Sequence, residues 1–369
     1  MGRNQWFKYD LMLSELENSM NPQIGARCPA CYGNSLNCSW TASLSDAAQH
    51  FVRAEADSQR NEILKQHIEK LWGNPTCDIM YCKKCGLGFA HPFIAGDEDF
   101  YNLAYPGTPG YPTTKWEFTR TIQDLLLPHR DDIHAARFLE IGSGVGNFLL
   151  YLAQAGVYKK NIVALEYNSE SLRILRERGF NGQASDIFSL SEGHFDFIFM
   201  FQVLEHMDKL DEIFTRLCQL LNQNGHLYLS VPNPNIINFS EQHESMLDMP
   251  PNHISRWSKE AFEAILERHN LRIEQYEIEK GSIFSVCLND LKYYTLRKSM
   301  SANTLASIAN SQNFPALRKT LLAGTALIYL FKRLPLWLRT LGSFQELGNS
   351  IWLKIAHKRM QVTPSDLHV

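Results

Sequence analysis

The chain has 369 residues, more than one ordinary domain uses, and its 44% apolar content is enough for a sizeable core. The net charge of −3 gives no overall attraction to nucleic acid. The polar, aromatic start Met-Gly-Arg-Asn-Gln-Trp-Phe-Lys carries no apolar leader, so a cytoplasmic location with reduced thiols is expected.

Residues 1–27 read as an N-terminal extension. Six of the eight cysteines then fall between residues 28 and 85. Cys28-Pro-Ala-Cys31 and Cys82-Lys-Lys-Cys85 have the C-x-x-C spacing that aims two thiolates at one metal from a tight turn. Two such turns complete a tetrahedral zinc site with no open position for a catalytic water, so the expected metal is structural. Cys38 and Cys77 remain as spare ligands, and unligated or redox-active thiols are the alternative. Between the pairs, Ser45 to Trp72 reads as a polar, charged helical insertion. The zinc module spans 28–92, and 93–136 holds a linker and helices. Its Tyr-, Pro- and Gly-rich stretch from Phe100 to Phe118 either covers a ligand as a lid or packs two domains together.

Arg137 to Phe148 is the most informative segment: an apolar strand ending at Glu140-Ile141, the turn Gly142-Ser-Gly144-Val-Gly146, and a helix from Phe148 to Ala155. Glycines let the backbone approach a ligand closely, and a helix N-terminus offers free N–H groups. The spacing is G-x-G-x-G, whereas a dinucleotide loop reads G-x-G-x-x-G. The Glu140 carboxylate would repel a pyrophosphate but suits a ligand bearing cationic groups, such as S-adenosylmethionine (SAM). Asn161 to Glu166 is a second buried strand ending in an acid that can accept both ribose hydroxyls, a feature NAD enzymes share. Asp186 is placed for the adenine amino group and Ile187 for the ring, with a turn or cap role as the alternative for Asp186. A strand from Phe195 to Phe201 leads into Val203-Leu-Glu205-His206, read as a helix start and packing pair. Phe201 is counted with the cofactor residues. His226 to Asn233 is a fifth strand. This β-α alternation with short turns predicts a mostly parallel, doubly wound sheet.

Residues 137 to 233 resemble the class I SAM-dependent methyltransferases, in the order glycine loop, ribose acid, adenine acid, Val-Leu-Glu-His turn and final apolar strand. The resemblance implies Gly142, Gly144 and Gly146 on the methionine part of SAM, Glu166 on the ribose and Asp186 on the adenine. Met80 to Pro92 resembles the N-terminal zinc-binding module attached to certain bacterial methyltransferases. That likeness implies a sugar, nucleotide-sugar or polyketide-type acceptor.

Further on, Met249-Pro-Pro-Asn252-His253-Ile-Ser-Arg-Trp-Ser258 ends in a cap for a helix from Lys259 to His269. Relatives in this subgroup often read Pro-Pro-His-His. Here Asn252 replaces the first histidine, so His253 alone carries over as the candidate general base. A loop-fixing role is its alternative, and His243, Glu244 and Asp248 stand nearby.

A class I sheet needs a sixth strand and an antiparallel seventh. Leu271 to Glu279 and Ser350 to His357 fit them, so the methyltransferase domain is expected at 137–280 and 346–360, with 281–345 inserted. From Leu291 to Gln345 there is no Asp or Glu, while eight Lys and Arg give +8 in a chain of net −3, leaving −11 elsewhere. The uncharged run Thr320 to Phe331 falls short of the ~20 residues that span a bilayer. It suits an interfacial helix, a substrate cap or an oligomer contact. The acceptor expected is a glycan, nucleotide-sugar or related polar metabolite, lipid-linked if the insertion touches membrane at its inner face. The rivals are a nucleic-acid methyltransferase, a dehydrogenase and a protein that binds SAM without turnover.

Overall fold

The computed structural model describes residues 26–105, 110–126, 133–190, 193–244, 248–300, 303–310 and 315–358. Most of the N-terminal extension, residues 106–109 of the tyrosine-rich linker and the last two residues of the expected methyltransferase segment lie outside these.

Three antiparallel strands open the described chain: β1 (Leu36–Ser43), β2 (Thr76–Cys82) and β3 (Gly88–His91). Two helices, Leu44–Phe51 and Ser58–Trp72, join β1 to β2, where the helical insertion is expected. Ser43 Oγ accepts from Asp46 N (3.1 Å) and Asp57 Oδ1 from Arg60 N (3.0 Å), so side chains cap both N-termini. Leu64, Ile68 and Trp72 bury against Cys77, Ile79, Phe100 and Ile254.

The parallel strands follow: β4 (Phe138–Ile141), β5 (Ile162–Leu165), β6 (Asn181–Gln183), β7 (Phe195–Phe201) and β8 (Leu221–Pro232). The two-residue β9 (Ser255–Arg256) comes next, then β10 (Leu271–Ile278) and β11 (Ser350–His357). The large sheet runs β10-β11-β8-β7-β4-β5-β6, and β11 is antiparallel to both neighbours. This is the seven-stranded class I methyltransferase sheet expected from the sequence. Strand order reverses beside β4, which pairs with β5 on one side and β7 on the other. Ligands of open α/β sheets bind at such a switch point. Both faces of the strands are covered, as apolar runs such as Phe195–Phe201 require. One face packs on Trp257, Phe262 and the module cysteines, the other on Phe118, Phe148 and Trp352.

β9 does not join the large sheet. It pairs with β3 (Gly88↔Arg256, Phe89↔Ser255) and completes a four-stranded sheet, β1-β2-β3-β9. The sheet of the cysteine-bearing module therefore includes a strand from the loop that carries His253.

The insertion between β10 and β11 is helical: Ile283–Met300, Leu305–Asn310 and Pro315–Arg339. Its interior is polar at one point. Arg333 Nε donates to Asp290 Oδ2 (2.8 Å), and Trp337 Nε1 donates to the same oxygen (2.7 Å), all three side chains being buried. Arg297 meets Asp46 of the module (3.6 Å), and Lys298 pairs with Glu244. The last helix is longer than its uncharged run. Ala316–Arg339 is long and apolar enough to cross a membrane by length and composition, with mean hydropathy 1.3 in a window only 22% buried.

Candidate active site

All three glycines of the β4 turn have positive φ, +69° at Gly142, +53° at Gly144 and +78° at Gly146, a region costly for other residues. Their missing side chains serve different ends. A Cβ on Gly142 would lie 2.5 Å from Val203 Cγ2, and one on Gly146 2.5 Å from Leu175 Cδ1. Those two positions allow strand and helix to pack. A Cβ on Gly144 would instead face the Tyr111 ring at 3.2 Å, so the linker tyrosine lies over the open side of the loop. Asn147 Nδ2 donates to Pro112 O (2.9 Å) and fastens the linker there.

The two acids expected at the cofactor behave differently. Glu166 is tied to the loop, accepting Gly144 N at Oε2 (2.7 Å) and Asn168 N at Oε1 (2.8 Å). Burial raises its pKa despite these bonds. Glu140 is 3% exposed, and its Oε2 has no hydrogen-bond partner among the described residues. Burial pushes its pKa well up, opposed by the Lys115 ammonium. An orphaned buried carboxylate beside a side-chain-free turn fits a ligand bearing an ammonium and a sulfonium, as SAM does. Asp186 Oδ1 accepts from Ser189 N (2.8 Å) and Ser189 Oγ (2.7 Å), a turn-capping arrangement. Ile187 is buried in the core beside Leu190. Phe201 packs edge-on to Phe148 and tilted on Phe118, inside the aromatic core.

A second polar group gathers where β7 ends. Glu205 is fully buried, and neither oxygen has a hydrogen-bond partner among the described residues; His206 Nε2 stands 3.9 Å from Oε1. His206 Nδ1 donates to Asn252 O (2.8 Å), with the Tyr101 hydroxyl 3.0 Å away. The His206 and His253 rings meet edge to face at 4.7 Å. His253 Nδ1 lies 2.9 Å from Oδ1 of Asp248, which is 3% exposed. One carboxylate and two imidazoles thus converge, Glu205, His206 and His253 all offering atoms within 4.8 Å of one another. Burial disfavours the His253 cation, but the Asp248 carboxylate and then Glu205 outweigh it, and its pKa ends above the ordinary value. Burial raises Glu205 to about 7, against the pull of His253. His206 is pushed down by desolvation and by His253, so its imidazole is neutral.

Lys115 acts on Glu140, Glu205 and His206 alike and so joins the two groups electrostatically. Asp248 was a named neighbour of His253 but not its partner, and Glu205 was read as packing. The other nearby candidates are engaged elsewhere: His243 Nδ1 donates to Phe239 O (2.7 Å) and Glu244 pairs with Lys298.

The four expected zinc ligands come together. Cys28 and Cys85 Sγ atoms are 3.5 Å apart, as are those of Cys31 and Cys82, and all four lie within 4.8 Å of one another. Zinc–sulfur bonds of 2.3 Å at tetrahedral angles call for about 3.8 Å, so the set fits zinc. Cys38 is exposed beside Trp40 O, and Cys77 is buried in the module core. Neither joins the cluster.

A cavity of about 650 Å³ opens between module, large domain and insertion. Trp40 and Thr41 of β1, Asn238 and Glu241 of the helix Pro234–Gln242, and Arg297 and Lys298 of the insertion line it. Glu241 Oε1 accepts from Arg256 Nη2 (2.9 Å), tying the cavity wall to the His253 loop.

Residues 115–276, under half of the chain, match the family model described as a methyltransferase domain. No curated protein matches the chain. A SAM-dependent methyltransferase from Archaeoglobus fulgidus is 18% identical, with TM-score 0.40, covering 65% of this chain and 94% of that one. One from Mesorhizobium loti is 13% identical, with TM-score 0.39, covering 66% and 99%. At such low identity and TM-score neither likeness bears on the acceptor. The family match marks residues 115–276 as a methyltransferase domain, built on the seven-stranded sheet described above.

Gly144→Val should abolish SAM binding in calorimetry while the protein stays folded. The branched side chain displaces Tyr111 and carries a left-handed strain of ~1–2 kcal/mol in the loop. Unchanged affinity would place SAM elsewhere.

Glu205 also sets a pH dependence. Its folded pKa, about 7, lies above the ordinary 4.5, so the folded protein keeps a proton that the unfolded chain releases. That contribution is fully present below 4.5 and is lost as pH rises to about 7. Glu205→Gln should therefore gain stability over wild type across that window, by about 3 kcal/mol at the top. Urea denaturation at both ends of the window measures the gap, and an equal gap at both ends refutes the assignment.

Proposed function

We propose that the chain moves a methyl group from SAM to a polar small-molecule acceptor of the glycan, nucleotide-sugar or related metabolite class. SAM supplies the electrophilic methyl. Glu140 faces its ammonium, with Gly142, Gly144 and Gly146 along the methionine part. Glu166 takes the ribose, Asp186 and Ile187 the adenine, and Phe201 backs the pocket. The polar part of the acceptor lies in the cavity lined by Glu241, Glu244, Arg297 and Lys298, and its reacting end reaches along the Glu241–Arg256 tie to the His253 loop.

The contact that carries the reading is His253 Nδ1 against Asp248. The two stand at ion-pair distance without an aligned hydrogen bond, and the charge of the carboxylate favours a proton on Nδ1, which leaves Nε2 to accept one from the acceptor. SAM bound at the glycine loop would supply the methyl group and carry away the sulfur as S-adenosylhomocysteine, and Nε2 of His253 would take the proton that the acceptor atom gives up. Positioning supplies much of the rate. His253→Ala should lower single-turnover transfer by roughly 10²–10⁴ with SAM affinity nearly unchanged. In wild type the rate should rise with pH through a value above the ordinary histidine pKa of 6.5, because only the neutral imidazole takes the proton. A mutant with wild-type rates at every pH makes His253 structural.

The cysteine cluster holds zinc in this reading and staples the module. Four thiolates leave the metal no open position. Elemental analysis should find one zinc per chain, lost in the double variant Cys82→Ser, Cys85→Ser together with the fold of the module. A wild-type protein without zinc, all four thiols titrating freely, defeats the assignment.

A further inference from the structure

The helix Pro315–Arg339 has two unlike faces. Thr325, Tyr329, Arg333 and Trp337 are buried, spaced four residues apart along one side. Arg333 and Trp337 bond to Asp290 of the helix Ile283–Met300, which fixes that side inward. Phe331 is 64% exposed, Leu338 58% and Leu327 56%, with Leu317, Leu321 and Ile328 also outward. Large contiguous apolar faces are uncommon on soluble proteins and mark contact surfaces. Among the described residues nothing covers this one.

We propose that this face lies in the interface of an anionic bilayer. Arg318, Lys319, Lys332 and Arg339 are exposed on the same helix, and no acid occurs between Leu291 and Gln345. Apolar side chains with flanking cations fit acyl chains beneath acidic headgroups. The charge also argues against a second copy of the chain, because a twofold contact would set these cations against their own twins. A crossing of the bilayer is unsuited, since the opposite face carries the buried Asp290–Arg333 pair and packs on protein. Bound in this way, the helix lies parallel to the surface. The insertion also contributes Arg297 and Lys298 to the acceptor cavity, which brings that cavity to the membrane and suits a lipid-linked acceptor.

Flotation of the full chain tests this without any acceptor, so its outcome is separate from that of the methyl-transfer reading. The probes are vesicles of phosphatidylcholine alone and of phosphatidylcholine mixed with phosphatidylglycerol. Wild type should float with the mixed vesicles. The double variant Leu327→Asp, Phe331→Asp should bind them at least about tenfold more weakly. Arg318→Glu with Lys319→Glu should erase the preference for the anionic mixture. Both substituted pairs are exposed, and unchanged SAM affinity verifies that each variant is folded. A wild type that fails to float, or floats no less after Leu327→Asp, Phe331→Asp, overturns the proposal. So does a wild-type dimer in light scattering that the same variant dissociates, with no vesicle binding.

Discussion

Two backbone hydrogen bonds on one residue hold the site together. Ile254 N donates to Glu205 O (2.9 Å), while Ile254 O accepts from Ala90 N (2.9 Å). The first ties the His253 loop to the turn after β7, and the second ties it to the sheet of the cysteine module that β9 extends. Gly96 N on Pro251 O (2.9 Å) and Ser258 Oγ on Cys85 O (2.6 Å) add ties on either side. The loop is therefore a bridge between two sheets. The position of the His253 imidazole depends on both sheets, and the cysteine cluster is coupled to it through β3 and β9.

Around that bridge the structure buries charge without full compensation. Among the described residues, Glu140, Glu205 and Asp248 each keep at least one oxygen without a hydrogen-bond partner, and His253 Nδ1 and Arg256 Nη1 also lack one. Burying such groups costs several kcal/mol apiece when nothing pairs them. Core packing alone gives no reason to keep them, and perturbed carboxylates and imidazoles cluster where chemistry is done. Here they follow two strands that pair side by side, β4 and β7, with Lys115 acting on both sets.

Much of this could be read in the sequence. β10 and β11 were placed almost residue for residue, because alternation and the known need for a final antiparallel strand agree. The insertion announced itself through its missing acids. The gathering of Cys28, Cys31, Cys82 and Cys85 was legible from spacing alone, since a C-x-x-C turn is a local device. What escaped was set by tertiary contact. β9 is two residues long and has no period to detect. Glu205 reads as an acid in a first helical turn, and only the packing of β7 against the loop shows it fully buried. The three glycines look alike in sequence, yet the neighbours Val203 and Leu175 separate two packing positions from Gly144.

If the His253 loop is a bridge, loosening one sheet should release it while the other stays intact. Hydrogen exchange reads this directly at the amides of Asn252 to Arg256, in wild type and in the double variant Cys82→Ser, Cys85→Ser, which disrupts the cysteine cluster. The account predicts that exchange of the Ile254 amide speeds up markedly in the variant, while the β4 amides of Leu139 to Ile141 stay protected. Equal protection of the loop in both proteins would contradict it.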